Sequence, residues 1–149
     1  RKESAKTLKK EVIISIKGKQ RVDGEDDIVE LSTMGNYYIR DGIQYIRYDE
    51  SGATGYDGCK TTLKVKGNDM VTMIRSGPCC SQLIVEKGRR HQCHYATEMG
   101  DLMVGVLGSN IRNGLDSHGG DIHFQYSLDV NACLASENEV SINIKECNG

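Results

Sequence analysis

Apolar and polar residues alternate along most of this chain, from Val12 to about Cys147. A period of two places successive side chains on opposite faces of a β-strand, one against a core and one against solvent. The segment 121–130 has an apolar or aromatic side chain at every second position, without a fault. No segment carries a convincing apolar stripe of helical period. The pattern therefore predicts an all-β fold.

The alternating segments follow one another with short Gly, Asn and Asp turns between them. Asp41-Gly42 is the strongest hairpin signal, and Asp23-Gly24 marks another turn. Sequential hairpins favour an antiparallel, mostly up-and-down β-barrel of about 8–10 strands, because closure removes exposed strand edges. A break is expected at Met34-Gly35, and only the non-alternating stretch 129–138 admits a helical turn.

The length of 149 residues predicts one domain: a flexible basic arm at residues 1–10 and a single β-barrel at 11–147. No apolar run approaches the roughly 18 residues that a membrane-spanning helix needs. The formal net charge of −2 argues against a nucleic-acid partner. Lys60, Lys64 and Lys66 share one strand face, which we interpret as a solvated face without interleaved aromatic residues for base stacking. We therefore expect neither a membrane nor a nucleic acid as partner.

The six cysteines show neither an even framework nor a Cys-x-x-Cys motif. This spacing favours reduced thiols in a cytoplasmic protein over a secreted disulfide scaffold. The segment RKESAKTLKK lacks the apolar stretch of a signal peptide. The chain starts without methionine, however, so a removed leader stays an open alternative.

Several short motifs in fixed order resemble the bacterial YwiB-like family. They are Tyr48-Asp49-Glu50, Thr54-Gly55, Thr61-Thr62, Arg75-Ser76-Gly77, Tyr95-Ala96-Thr97 with Gly100, and Tyr126-Ser127-Leu128. The resemblance spans Val12 to Glu146. It implies a calycin or lipocalin-like β-barrel, in agreement with the alternation, and it implies no activity because the family is a domain of unknown function. Cys79-Cys80 and the segment 91–94 are not part of the pattern.

Polar residues that alternation assigns to the dry face are the candidate site. Arg75 follows Val71 and Met73 onto that face, and Glu50 is its expected partner, because a buried guanidinium needs acceptors. The expected ligand-binding set is Tyr48, Glu50, Arg75, Tyr95, Thr97 and Tyr126. Arg75 would anchor a carboxylate or phosphate through its fork of donors. Alternatively, Arg75 and Glu50 form a satisfied pair that plugs one barrel end, and buried polar groups usually are satisfied internally.

Other constellations indicate no catalytic residue, metal or cofactor. His91 and Cys93 share a strand face, but two ligands do not make a site. The glycine-rich segment 52–58 opens no helix and suggests a hairpin loop at the barrel mouth. Asp49 and Glu50 point to opposite faces, and no Gly-x-Ser-x-Gly motif occurs. An enzyme is therefore the weaker alternative.

Two classes of function remain at this point. The first is a binding module that takes a small apolar or weakly acidic molecule into the barrel lumen, with Arg75 as anchor. The second is a non-catalytic interaction or scaffold protein, in the form of a homodimer for example, whose lumen is a filled core. An open or a packed lumen distinguishes them.

Overall fold

The computed structural model describes residues 9–50, 56–78, 80–97 and 100–147. The described residues form ten β-strands, which are listed here in chain order: β1 (Lys10–Val22), β2 (Glu25–Arg40), β3 (Ile43–Asp49), β4 (Lys60–Lys66), β5 (Met70–Ser76), β6 (Ser81–Glu86), β7 (Arg90–Thr97), β8 (Gly100–Asp116), β9 (Gly119–Val130) and β10 (Cys133–Glu146). None of the described residues belongs to a helix long and apolar enough to cross a membrane. The all-β prediction is confirmed.

The strands close into one antiparallel barrel. Each strand pairs with the next along the chain, and β1 pairs with β10, so that Ile14 stands opposite Ile144. This is the up-and-down order that sequential hairpins favour. The turns at Asp23-Gly24 and Asp41-Gly42 have positive φ at both residues, from 52° to 80°. Those angles are the ones that tight two-residue hairpins require.

The inward side chains form one continuous apolar core. It runs around the barrel from Val12 and Ile14 on β1 to Ile142 and Ile144 on β10, with Phe124 fully buried. Lys60 and Lys66 on β4 are exposed, while Thr61, Leu63 and Val65 between them are buried. Alternation therefore assigned the two faces of this strand correctly.

The break expected at Met34-Gly35 is wrong, because β2 runs without interruption from Glu25 to Arg40. A Cβ atom at Gly35 would lie 2.2 Å from the carbonyl oxygen of Arg47 and 2.6 Å from Ile14 Cδ1. Glycine occupies this position because the neighbouring strand and a core side chain approach too closely for a Cβ atom. A glycine of this kind cannot be distinguished from a turn glycine by sequence alone.

The stretch 129–138 also differs from expectation, because it holds a hairpin rather than a helical turn. Asn131 and Ala132 form the turn with φ of 53° and 67°. The register between β9 and β10 then shifts between Leu134 and Ser136. This β-bulge adds a residue on one strand and so hides the alternation.

Candidate functional site

A row of polar side chains crosses four adjacent strands on the inner face of the barrel. The cross-strand partners are Tyr48 with Thr61, Thr61 with Arg75, and Arg75 with Ser81. We call these four residues the polar row. The next inward row consists of apolar residues in the same register: Ile46, Leu63, Met73 and Leu83. The barrel interior thus changes from apolar to polar within one residue pair, at the end where β3 leads to β4 and β5 leads to β6.

Arg75 lies at the centre of this row. Its Nη2 is 3.5 Å from Glu50 Oε2, and its Nη1 donates to Ser81 Oγ at 3.5 Å. Thr61 donates its hydroxyl to the same Glu50 oxygen. The side chain of Glu50 is 2% exposed and that of Arg75 is 21% exposed. The two opposite charges are therefore held together with little access to water.

One donor of Arg75 remains without an acceptor. Its Nε is buried and has no hydrogen-bond partner among the described residues. An unsatisfied buried donor costs about 1–3 kcal/mol, and for a charged group the cost is higher. Native structures rarely leave such a group without an explanation. Arg75 therefore keeps one buried N–H donor for which the described residues supply no acceptor.

Tyrosines surround the guanidinium. The Arg75 Cζ atom lies 3.7 Å from the centroid of the Tyr56 ring, and the Tyr56 hydroxyl is 3.5 Å from that of Tyr95. Burial raises the pKa of Tyr48 well above its usual value, and the nearby Glu50 carboxylate adds to that rise. Burial likewise raises the pKa of Tyr126. Both phenols are therefore neutral at physiological pH and can donate a hydrogen bond.

A cavity of about 90 Å³ adjoins these groups. Its lining joins the polar row and two tyrosines to the apolar layer below: Tyr48, Thr61, Met73, Ile74, Arg75, Ser81, Leu83, Tyr95 and Tyr126. We call it the Arg75 pocket. Below it, the core residues fill the barrel. The pocket is much smaller than the roughly 300–1,000 Å³ of most small-molecule sites.

The structure brings together five of the six residues expected from the sequence: Tyr48, Glu50, Arg75, Tyr95 and Tyr126. The expected pair of Arg75 and Glu50 is present. Thr97 is the last residue of β7, and its side chain lies outside the described residues. Whether these residues bind a ligand stays a prediction.

Three further residues belong to this cluster and were absent from the expected set: Tyr56, Thr61 and Ser81. Thr61 shares the inner face with Leu63 and Val65, so the rule that selected Arg75 also selects it. Ser81 likewise shares the inner face with Leu83 and Val85, so the same rule selects it as well. Tyr56 lies in a connection without alternation, and only the fold shows that this connection reaches the guanidinium.

The histidine and cysteine residues considered for a metal have other contacts. His91 Nε2 is 2.7 Å from Glu86 Oε1, and the Cys93 Sγ accepts the backbone N–H of Ile84 at 3.4 Å. Among the described residues, no three His, Cys, Asp or Glu side chains cluster as metal ligands would. The five described cysteines are not joined in disulfides with one another.

One lysine of the β4 row, Lys64, has an aromatic neighbour on the adjacent strand, which the sequence of β4 alone does not show. Tyr45 is the cross-strand partner of Lys64, and its ring stacks on that of Tyr38 with centroids 4.7 Å apart. Lys64 Nζ lies 5.7 Å from the Tyr45 centroid, and Lys9 Nζ lies 5.3 Å from that of Tyr38. The two rings thus stack on each other, each with an ammonium group over it. Such a ladder stabilises neighbouring strands and does not leave two free faces for bases.

Comparison with known families identifies the group to which this barrel belongs. A family model described as a domain of unknown function, DUF1934, matches residues 14–142. The chain belongs to the DUF1934 family. The match includes the whole polar row and Glu50. The family description carries no activity, so the function of a DUF1934 barrel has to be argued from its own residues.

One relative and one solved structure are similar to this DUF1934 chain. The uncharacterized β-barrel protein YwiB of Bacillus subtilis strain 168 is 27% identical over 125 residues, which are 83% of this chain and 86% of YwiB. The crystal structure of the B. subtilis ywiB protein matches with a TM-score of 0.81 at 22% identity and covers 99% of this chain and all of that one. The resemblance to the YwiB-like family is confirmed, and the structural match supports the barrel fold.

Proposed function

We propose that this DUF1934 barrel is a binding protein for a small carboxylate-sized anion, which occupies the Arg75 pocket. The observation that carries this proposal is the unpartnered, buried Nε of Arg75, a residue that also lines the cavity. A carboxylate oxygen would accept from that Nε–H, and the second oxygen would accept from a neighbouring hydroxyl. Charge-assisted hydrogen bonds of this kind are about twice as strong as neutral ones.

The size of the pocket supports a very small ligand. Its volume of about 90 Å³ is several times the roughly 10–15 Å³ that a cavity needs to hold one water. A formate or acetate ion is therefore of the right size, and a long fatty acid is not. The sequence predicted a small ligand that is either apolar or weakly acidic. A weakly acidic ligand as small as formate or acetate fits the volume of this pocket. The filled core is the result expected of the scaffold alternative and gives no support to a ligand within the lumen. The proposal is therefore confined to the Arg75 pocket at the end of the core.

The surrounding groups support an oxygen-rich ligand. Tyr48 and Tyr126 have a raised pKa and so are neutral donors. Ser81 and Tyr95 add hydroxyl groups to the lining. Glu50 already lies within 3.5 Å of Arg75, so an anion would share the guanidinium with this carboxylate rather than replace water around an isolated charge. We therefore expect modest affinity.

Thermal denaturation with small carboxylates tests the proposal. At a ligand concentration ten times Kd, binding to the native state alone adds about 1.4 kcal/mol to the free energy of unfolding. That gain corresponds to a rise in Tm of about 4 °C for a chain of this size. We expect formate and acetate to raise Tm and octanoate to have no effect, all against sodium chloride at equal ionic strength.

The matched variants are Arg75→Lys and Arg40→Lys. Arg75→Lys keeps a positive charge opposite Glu50 but removes the Nε–H, so the acetate response should disappear. Arg40 is exposed at the end of β2, and its variant should respond like the wild type. Equal responses in Arg75→Lys and wild type would contradict the proposal. Arg75→Ala is the less suitable variant, because it leaves the buried Glu50 without its cation.

The second candidate is an interaction or scaffold protein with a filled core. It is favoured by the continuous apolar cluster and by exposed apolar side chains on the outer face. Ile13 and Met34, for example, are cross-strand partners and are 41% and 61% exposed. Size-exclusion chromatography with light scattering tests its homodimer form. A mass of twice the monomer would favour this candidate, and a clean monomer across concentrations would count against the homodimer.

We propose a cytoplasmic setting and a calycin-like classification as parts of the same proposal. The cysteine spacing supports the first, because it suggests reduced thiols. The up-and-down barrel supports the second, since lipocalins share this architecture. Cell fractionation with an antibody to the natural chain checks the location, and recovery from the medium would contradict it.

A further inference from the structure

A groove of about 760 Å³ lies on the outer face of the barrel, across the long strands β2, β1, β10, β9 and β8. Three small side chains from neighbouring strands line it: Ser15, Ser32 and Ser141. Ser15 is the cross-strand partner of Ser32, and Lys17 is that of Ser141. The serine side chains are shorter than those of their neighbours, so the protein surface is recessed between the longer side chains. The volume lies within the range of sites for small molecules.

A histidine in this groove connects a serine with a carboxylate. His123 Nδ1 is 2.8 Å from Ser141 Oγ, and His123 Nε2 is 3.2 Å from Glu139 Oε2. Ser141 and His123 are direct cross-strand partners on β10 and β9, while Glu139 precedes Ser141 by two residues on the same face. The His123 side chain is 17% exposed. The fold thus holds the imidazole between the two other groups.

The chemistry of the partners determines the proton on each nitrogen. An ionised carboxylate only accepts hydrogen bonds, so contact with Glu139 favours the tautomer with a proton on Nε2. Nδ1 then has a lone pair to accept the hydroxyl proton of Ser141. A nucleophile, a base and an acid that orients the base are the elements of serine hydrolysis, and they are recognised by geometry rather than by sequence order.

We propose that Ser141, His123 and Glu139 form a hydrolytic site for small uncharged carboxylic esters on the outer face of the barrel. The site is separate from the Arg75 pocket and rests on different residues. Ser141 is the nucleophile and His123 the general base. Glu139 is a positioning residue, which holds the imidazole ring and stabilises its charged form.

The reaction consists of two acyl-transfer steps. Ser141 Oγ attacks the ester carbonyl carbon while its proton passes to His123 Nδ1. The C–O bond to the leaving group then breaks, and the leaving oxygen takes that proton and departs as an alcohol. Water attacks the acyl-serine carbonyl and gives a proton to Nδ1. The bond to Ser141 breaks, its Oγ recovers the proton, and the carboxylic acid leaves.

Charges around the groove favour this reaction and an uncharged substrate. Lys17 is the cross-strand partner of Ser141, and Arg112 is that of His123. Both line the groove, and positive charge in such a site favours an oxygen that becomes negative during attack. Glu30 and Asp121 also line the groove, and the Glu139 carboxylate adds a third negative charge beside His123. Two positive and three negative side chains give no advantage to an anionic substrate.

Covalent labelling tests the nucleophile directly. A fluorophosphonate reagent forms a stable bond only with a serine that is activated by a base. We expect one adduct per chain, located on Ser141 by peptide mass spectrometry, and no adduct on that peptide in His123→Asn. His94→Gln is the matched control, because His94 also pairs with a carboxylate, Asp101, at 3.1 Å. This variant should label like the wild type.

Hydrolysis of p-nitrophenyl acetate gives the second measurement. Loss of a general base or nucleophile typically lowers a rate by about 10²–10⁴-fold, so Ser141→Ala and His123→Asn should lose at least tenfold of the rate above buffer. Glu139→Gln should lose less and shift the pH profile, while Ser76→Ala and His94→Gln should keep the rate. All the substituted side chains lie outside the core, so melting curves should be unchanged.

Three results would overturn this proposal. They are the absence of an adduct on Ser141, equal labelling of Ser141 in His123→Asn, or an undiminished rate in Ser141→Ala. Ester hydrolysis that stays in Ser141→Ala would come from unspecific surface histidines and lysines. The outcome is independent of carboxylate binding, because Arg75→Lys changes no residue of the groove.

Discussion

A charged side chain on an inner strand face loses its hydration and needs contacts within the protein in its place. The guanidinium of Arg75 has such contacts with Glu50, Ser81 and the ring of Tyr56. These contacts use the two terminal nitrogens and one face of the guanidinium but not Nε. A purely structural plug would be expected to satisfy every donor. This difference is why we favour a binding site over a plug.

Buried tyrosines predict the behaviour of the protein at alkaline pH. Burial raises the pKa of Tyr126, whereas the unfolded chain ionises near the ordinary value of about 10. A raised pKa gives stability that is present below the unfolded value and is lost as the pH rises through it. Each such tyrosine then lowers the free energy of unfolding by about 1.4 kcal/mol per pH unit above pH 10.

Urea denaturation of wild type and Tyr126→Phe at several pH values checks this prediction. Between pH 7 and 9 the difference between the two proteins should be constant. Above pH 10 the wild type should lose stability more steeply, because the variant lacks one of the ionising groups. Parallel curves up to pH 11 would show that the Tyr126 phenol ionises equally in both states.

The residue scale also shows how far the sequence predicts the site. Alternation found Arg75, Glu50 and three tyrosines because each interrupts an apolar face, within a strand or, for Glu50, one residue beyond the end of β3. It could not find Tyr56, which lies outside any strand, or the contact of His123 with Ser141, since these residues come from different strands. Cross-strand register decides such contacts, and no local spacing encodes it.

At the scale of single elements, the glycines of the strands are the informative positions. Gly35 lies within β2 against the Arg47 carbonyl oxygen and Ile14. Gly18 lies on β1 with no atom within 4 Å of a Cβ placed there. The two glycines therefore have different roles although both occur in alternating segments.

Alanine at these two positions should have opposite effects. Gly35→Ala should lower the free energy of unfolding by about 1–3 kcal/mol, because backbone and core must move to admit the methyl group. Gly18→Ala should change it little or raise it slightly, because alanine restricts the unfolded chain. Chemical denaturation of both variants measures the difference. Equal effects would contradict the close packing at Gly35.

Turns and bulges mark the limits of prediction for whole elements. Asp-Gly pairs predicted their hairpins correctly because positive φ favours these residues. Asn131-Ala132 gave no comparable signal, since alanine seldom adopts such a φ. The bulge near Leu134 then disturbed the alternation from which the first part of β10 could have been recognised, whereas the segment 139–146 alternates regularly and was predicted as a strand. The regularly alternating strands and the Asp-Gly turns were thus predictable, whereas the Asn131-Ala132 turn and the bulge in β10 were not.

At the scale of the whole molecule, the interior of the closed barrel has two parts. The core side chains fill the lumen, and the Arg75 pocket lies at one end of it. This arrangement suits a small ligand at the mouth and leaves the rest of the barrel as a rigid support. Sites on such regular elements hold their groups more closely than sites on loops.

The most direct test of the central claim is an NMR titration of the labelled protein with sodium acetate, observing backbone amides and arginine Nε–H signals together. We expect saturable shifts of the Arg75 Nε–H and of amides around Glu50, Thr61 and Ser81, with the signals of the outer groove unchanged. The Arg75→Lys spectrum assigns the Nε–H signal. An unchanged Arg75 Nε–H, with weak shifts spread over surface residues, would contradict the account.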